Sequence, residues 1–264
     1  MPVQASPHVL VIDDSPEELR VLQNVLRGQG YRVTLATDGR QGFQRALALQ
    51  PDLILLDVRM PGLDGFATCR LLKEAPRSQH IPIIFLSSAG ALEERLEGLT
   101  QGGVDYVLKP SHPDEVLARV RIHLQLGPRQ SGAAHAESDV FLSQDEITLR
   151  AAVRLISEQL GALPSLEDIA RKVGTHDKRL SAIFRQHMGT TVFAWIREER
   201  LRKGRTLLME TSMGMQDIAE SVGFRSACNF ITAFRERVGV TPSQFRKASR
   251  SDALVTSGAY RLAQ

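Results

Sequence analysis

The run Val9-Leu10-Val11-Ile12-Asp13-Asp14 decides the fold. Four apolar residues without polar alternation predict a strand covered on both faces, as in a parallel sheet. Two carboxylates end it. Variants of the same pattern recur downstream. Leu53-Ile54-Leu55-Leu56 ends on Asp57, and Val104-Asp105-Tyr106-Val107-Leu108 ends on Lys109, followed by Pro110. In an open parallel sheet the strand C-termini share one edge, and ligands bind there. Asp13, Asp14, Asp57 and Lys109 are therefore expected around one pocket. Clustered carboxylates repel one another unless a cation neutralises them. A hard divalent ion such as Mg2+ suits an all-oxygen ligand set.

Helical signals alternate with these strands. Ser15-Pro16-Glu17-Glu18 supplies an N-cap, a proline at the first helical position and a glutamate three residues after the cap. Leu19, Leu22, Val25 and Leu26 then form one apolar face, and Gly28 and Gly30 end the helix. Tyr31–Ala36 and Ile81–Leu86 read as further strands. Arg40–Leu49, Asp64–Lys73, Ala91–Leu99 and Pro113–Leu124 read as helices. Five βα units predict an α/β fold, a doubly wound five-stranded parallel sheet.

Residues 127–140 (GPRQSGAAHAESDV) are small and polar and read as a linker. Strand signals stop after it. Ser143 and Glu146 have capping-box spacing before a helix through about Leu160. An internal repeat follows. Ile169-Ala170-x-x-Val173-Gly174 returns as Ile218-Ala219-x-x-Val222-Gly223, and Phe184 and Gly189 return as Phe234 and Gly239. Each copy is a helix, a glycine turn and a second helix, so the region is predicted to be all-α with two helix-turn-helix units. Residues 249–264 lack periodicity and are expected to be poorly ordered.

Composition narrows the class. At 264 residues the chain predicts two domains: residues 1–126 and 141–248 on either side of the linker. The first carries 13 Lys/Arg against 15 Asp/Glu, net −2, and the second 17 against 12, net +5. A basic second half suggests a polyanion partner for that half, although charge alone fits a solvated surface equally well. Cys69 and Cys228 lie far apart without a CxxC, which argues against a disulfide framework or a zinc site and for a reducing, cytoplasmic setting. No apolar run approaches the roughly 18–20 residues of a membrane span, and no signal peptide is evident. The seven histidines show no ligand spacing.

Residues 7–126 resemble CheY-like response-regulator receiver domains. The residues that carry the resemblance are Asp13-Asp14, Asp57, Ser87, Tyr106 and Lys109, with the turns Met60-Pro61-Gly62 and Lys109-Pro110. The resemblance implies that Asp57 takes a phosphoryl group from a histidine kinase. It implies that Asp13, Asp14, the Asp57 carboxylate and the backbone carbonyl of Arg59 hold Mg2+, and that Lys109 pairs with the phosphoryl oxygens. Ser87 would bond the phosphoryl group, Tyr106 occupies the aromatic switch position, and the peptide before Pro110 is usually cis in the family. Arg59 and Ala89 stand at positions that tune dephosphorylation in the family, which the resemblance carries over to this chain. Taken singly, Asp13-Asp14 also fits an N-cap cluster and Asp57 a loop aspartate. Their joint occurrence favours the phosphoacceptor. A nucleotide cradle is disfavoured, because the first βα turn holds two aspartates where glycines and free N–H groups would be needed.

Residues 145–248 resemble the AraC-type DNA-binding domain. The resemblance rests on Ile169-Ala170, Val173-Gly174, Phe184, Ile218-Ala219, Val222-Gly223-Phe224, Phe230, Phe234 and Gly239-Val240-Thr241-Pro242. It implies that the second helix of each unit, about Asp177–Gln186 and Ser226–Arg235, enters the major groove. Lys178, Ser181 and Ala182, then Ala227, Cys228 and Thr232, form the implied base-facing set, with Asn229 and Ile231 close by. Arg171, Lys172, Arg179, Arg185, Arg225, Arg235 and Arg237 are candidate phosphate contacts, each of which also fits solvated surface. Three positions depart from the family pattern. His176 stands at a capping position, Arg225 precedes the second recognition helix, and Gly204 sits inside the linking helix at a cost of ~1 kcal/mol. Cys228 reads as a small filler or a redox sensor.

The combined expectation is a cytoplasmic, non-enzymatic response regulator that binds double-stranded promoter DNA. It would be phosphorylated by a histidine kinase and form a homodimer when phosphorylated, with RNA polymerase a further candidate partner. Two other readings stay open at this level. One is a DNA-binding regulator indifferent to phosphorylation, its receiver a protein-docking module. The other is an interaction protein whose basic half binds nucleic acid without sequence preference.

Overall fold

The computed structural model describes residues 6–88, 92–109, 112–126 and 142–248. Ala89, Pro110, the linker at 127–140 and the tail at 249–264 lie outside these residues. The chain forms two compact units. The first comprises Met1–Ala152 with Glu167–Leu180, and the second Val153–Leu166 with Ser181–Gln264.

The sheet is made of β1 (His8–Ile12), β2 (Arg32–Ala36), β3 (Leu53–Asp57), β4 (Ile83–Ser87) and β5 (Asp105–Leu108). All neighbours are parallel, in the order β2-β1-β3-β4-β5. The order reverses between β1 and β3, which is the switch point where a crevice opens at the strand C-termini. The register aligns Ile12 with Leu56, and Asp57 with Leu86. Asp13 and Asp57 therefore leave the sheet on the same edge.

Both faces of the sheet are covered, so β1, β3 and β4 are buried at every residue and show the uninterrupted apolar runs seen in sequence. On one face Val9, Val11, Leu53, Leu55, Ile84 and Leu86 pack with residues of α1 (Pro16–Gly28) and α5 (Pro113–Leu126). On the other, Ile12 and Phe85 meet α2 (Gly39–Leu49), α3 (Gly65–Glu74) and α4 (Leu92–Thr100). Gly42 of α2 abuts Ile12, and Phe66 of α3 makes an edge contact with Phe85 at 5.4 Å. The cap and proline read at Ser15-Pro16 are in place, and two aspartate caps join them. Ser15, Asp38 and Asp64 accept from backbone N–H groups three residues on, and Pro16 opens α1. The α1 face is as expected except that Val25 is only partly buried.

The remaining described helices are α6 (Gln144–Glu158), α7 (Leu166–Lys172), α8 (Asp177–Met188), α9 (Val192–Glu210), α10 (Met215–Ser221) and α11 (Ala227–Val238), with residues 242–248 also helical. The capping box before α6 is reciprocal: Ser143 N–H donates to Glu146 Oε2 at 2.7 Å, and Glu146 N–H to Ser143 Oγ at 3.2 Å. The sequence repeat is a repeat of hydrogen bonds as well. Thr175 N–H donates to the Ala170 carbonyl at 2.9 Å, and Phe224 N–H to the Ala219 carbonyl at 2.8 Å. The second loop, residues 222–226, is one residue longer than the first, 173–176.

The core around α9, α10 and α11 is built on Leu201, Leu208, Ile218, Val222, Phe230 and Phe234. Phe224, Phe230, Phe234 and Phe245 form a chain of ring contacts, each 5.5 Å between centroids. Gly204 has a packing reason. A Cβ there would lie 2.7 Å from the Phe230 ring, so alanine would trade a propensity gain of ~1 kcal/mol for overpacking that costs about 1–3 kcal/mol.

Candidate functional site

Asp13, Asp14, Asp57 and Lys109 line one cleft of about 380 Å³, together with Glu18 and Arg59. Its floor is set by the sheet and its rim by the loops that follow β1, β3 and β5. Gly65, the first residue of α3, presses on the end of β3. A Cβ at this position would lie 2.2 Å from the Asp57 carbonyl oxygen, so only glycine allows this approach.

Lys109 is the hub. Its Nζ donates to Asp13 Oδ2 at 2.6 Å and to Asp57 Oδ1 at 2.8 Å, and lies 2.5 Å from Glu18 Oε2. Asp13 is fully buried, and its other oxygen accepts from Ser15 N–H at 2.8 Å. Burial pushes the Asp57 carboxyl above its ordinary value. The hydrogen bond and charge of Lys109 pull it back, while Asp13 and Asp14 add to the rise. Burial alone would lower the Lys109 ammonium, but its hydrogen bonds to Asp13, Asp57 and Glu18 outweigh that and hold it above its ordinary value. A cationic lysine beside a partly destabilised carboxylate suits an anionic group arriving at Asp57.

One carboxylate oxygen from each of Asp13, Asp14 and Asp57 lies within 4.8 Å of the others. The donors are all oxygen and two of the three residues are buried, so the set fits a hard divalent cation. Arg59 lines the cleft and its guanidinium pairs with Glu94 of α4 at 3.2 Å. Ser87 ends β4 with no exposed surface. The adjacent Ser88 lines the cleft, a placement that the strand pattern did not signal. Tyr106 is buried, with its ring 6.3 Å from that of Phe85. Glu18 was read from sequence only as part of a helix start.

The residues expected from sequence to face DNA lie on or beside two helices, α8 and α11. On α8, Lys178, Ala182 and Arg185 are exposed and Ser181 is half-buried. These positions fall on one face by helical spacing. His176 caps this helix, its Nδ1 accepting from Arg179 N–H at 3.2 Å. On α11, Cys228, Asn229, Thr232 and Arg235 are exposed, Ala227 and Ile231 are half-buried, and Arg225 is exposed just before the helix. Ser226, not Arg225, provides the cap by accepting from Asn229 N–H. Ile231, Thr232, Arg235 and Thr241 border a groove of about 450 Å³. The basic residues divide into two groups. Arg171 pairs with Asp168, Arg179 with Asp145 and Arg237 with Glu198. Among the described residues, Lys178, Arg185, Arg225 and Arg235 make no ion pair. Trp195 of α9 packs edge-on to Phe184 at 5.8 Å.

The response regulator receiver domain matches residues 9–121, and a helix-turn-helix domain matches residues 169–248. The DNA-binding response regulator MtrA of Mycolicibacterium smegmatis is 31% identical over 198 residues, covering 74% of this chain and 86% of MtrA. The chain belongs to the response regulator family. The dual master transcriptional regulator RpaA of Synechocystis sp. is 39% identical to this response regulator over 144 residues, 54% of this chain. The match spans 58% of RpaA. Among solved structures, a transcriptional regulator from Chromobacterium violaceum with an AraC-type DNA-binding domain is 31% identical. It covers 39% of this chain and 91% of its own, with a TM-score of 0.38. No described helix of this response regulator is long and apolar enough to cross a membrane.

Proposed function

We propose that this response regulator is a cytoplasmic transcription factor controlled by phosphorylation of Asp57. The observation that carries the reading is the Asp13–Asp57–Lys109 constellation at the sheet's switch point, in a chain whose residues 169–248 match a helix-turn-helix domain. A histidine kinase would donate the phosphoryl group. A carboxylate oxygen of Asp57 bonds to phosphorus, and the P–N bond to the kinase histidine breaks. Lys109 sits 2.8 Å from the accepting carboxylate and neutralises charge on the incoming group. Asp13, Asp14, Asp57 and the Arg59 carbonyl would hold Mg2+, which when bound offsets the combined charge of carboxylates and phosphoryl group. Ser87 at the end of β4 and Tyr106 on β5 would respond to the phosphoryl group. Through them its presence would reach the α4–β5 face, favouring a homodimer or freeing the basic half.

The proposed modules are a receiver at 1–126, a linker at 127–140 and a DNA-binding region at 141–248. Lys178, Ser181 and Ala182 on α8, and Ala227, Cys228 and Thr232 on α11, would face bases. Arg185, Arg225 and Arg235, free of ion pairs among the described residues, would hold phosphates. Promoter DNA is the expected partner, with RNA polymerase met there. The chain would have no catalytic role beyond its own phosphorylation.

Genome-wide DNA binding of the wild-type protein and of Asp57→Asn tests the whole reading. Discrete sites that weaken in Asp57→Asn are expected. Sites that persist unchanged would remove the phosphoswitch, and absence of sites with either protein would remove the DNA-binding role.

A further inference from the structure

We infer that Glu18 is a placeholder for the phosphoryl group: it occupies one N–H of Lys109 in the resting protein and releases it when Asp57 is phosphorylated. The inference rests on the phosphoacceptor reading above. An ammonium has three N–H donors and no acceptor. Glu18, Asp13 and Asp57 place carboxylate oxygens at 2.5, 2.6 and 2.8 Å from Lys109 Nζ, so all three donors are engaged. An arriving phosphoryl group can gain Lys109 only by displacing one of them.

The three partners differ in what their release would cost. The side chains of Asp13 and Asp57 are 1% and 7% exposed, whereas that of Glu18 is 46% exposed. Asp13 is also held at its second oxygen by Ser15 N–H, and Asp57 becomes the phosphoryl carrier itself. Releasing a buried carboxylate from Lys109, the one cationic side chain that pairs with it among the described residues, is costly. A half-exposed glutamate turns into water at little cost. Its place on α1 does not depend on the carboxylate, because the helix start is held by Glu18 N–H donating to Ser15 Oγ.

The sign of the effect separates this role from a structural one. If Glu18 merely braced Lys109 in position, neutralising it would weaken the site. As a placeholder it opposes phosphorylation twice, by competing for an N–H of Lys109 and by repelling the incoming anion. Removing it then strengthens the site.

Calorimetric binding of beryllium trifluoride, a phosphoryl mimic that bonds to an aspartate carboxylate, tests this on the full chain at fixed Mg2+. Wild type, Glu18→Gln, Glu18→Ala and Asp57→Asn are compared. Both Glu18 variants are expected to bind about three- to fivefold tighter than wild type, the scale of a displaced exposed ion pair. With phosphoramidate as donor, both should reach a given phosphorylated fraction, read by intact mass, at correspondingly lower donor concentration. Equal or weaker binding in both Glu18 variants, with wild type binding and Asp57→Asn not, overturns the placeholder and leaves the phosphoacceptor standing. Failure of wild type itself to bind overturns both.

Discussion

At the sheet, three of the residues proposed to act, Asp13, Asp57 and Ser87, are polar and buried; on α8 and α11, the residues proposed to act are exposed or half-buried. Asp13, Asp57 and Ser87 are buried among continuous apolar strands. A polar group in such a place demands a partner or a purpose, so it stands out in sequence. Around α9, α10 and α11 the core cluster is entirely apolar, and the residues that would meet DNA are ordinary surface types. The first arrangement announces its chemistry. The second announces only its fold.

The comparison can be broken most sharply at the two cores. Phe230 is fully buried and touches both Phe224 and Phe234. Phe230→Ala is expected to cost about 3–5 kcal/mol, the usual range for a buried aromatic. Asp57 is as central to its unit, yet Asp57→Asn keeps the shape and relieves a crowded set of carboxylates. Its melting temperature is expected to match or exceed that of wild type. Thermal unfolding of both variants decides this. A strongly destabilised Asp57→Asn would mean that the buried carboxylate is structural.

A smaller effect sharpens the helical side. Arg235 and Arg237 are both exposed, both on α11 and alike in sequence, but Glu198 holds Arg237 through two contacts at 2.9 and 2.8 Å. Arg235→Ala should weaken DNA binding about tenfold at low salt and reduce the salt slope by ~1, as expected for one lost phosphate contact. Arg237→Ala should change the slope less. Fluorescence anisotropy over a salt series gives both numbers, and equal slopes would show that the resting ion pair does not select which arginine contacts phosphate.

The same contrast explains what could be read in advance. The strand runs, the cap at Ser15 and the convergence of Asp13, Asp57 and Lys109 follow from the sequence, because a parallel sheet leaves few places for its strand ends. The repeat at Ile169 and Ile218 was legible because both copies bury the same side chains and close the same turn bond. Glu18 was not, since its role arises from Lys109 reaching across from β5, ninety-one positions later in the chain. By helix propensity alone Gly204 is a weak point, and only the Phe230 ring packed against it gives the glycine its reason. Arg237 looked as available as Arg235 because an exposed ion pair leaves no mark in local pattern.

The smallest effect is electrostatic and lies at the edge of the sheet. Asp105 opens β5, and its carboxylate accepts from Arg119 at 2.8 and 2.9 Å and from Tyr106 N–H at 2.8 Å, with His123 Nε2 at 3.0 Å. Burial alone would raise this carboxyl, but the hydrogen bonds from Tyr106, His123 and Arg119 together outweigh it and leave it below its ordinary value of 3.8. A carboxyl depressed by folding binds protons less readily in the native state than in the unfolded one. Its contribution is therefore fully present above the unfolded value and is lost as the pH falls through the lower, folded value. Asp105→Asn removes that contribution at neutral pH but not in acid, where the wild-type group is already protonated. The stability difference between wild type and Asp105→Asn should thus shrink between about pH 5 and pH 2. Chemical denaturation at several pH values measures it. A constant difference across that range would mean that Asp105 acts through packing, and that the exposed rim of the sheet unit behaves like the helical unit's surface.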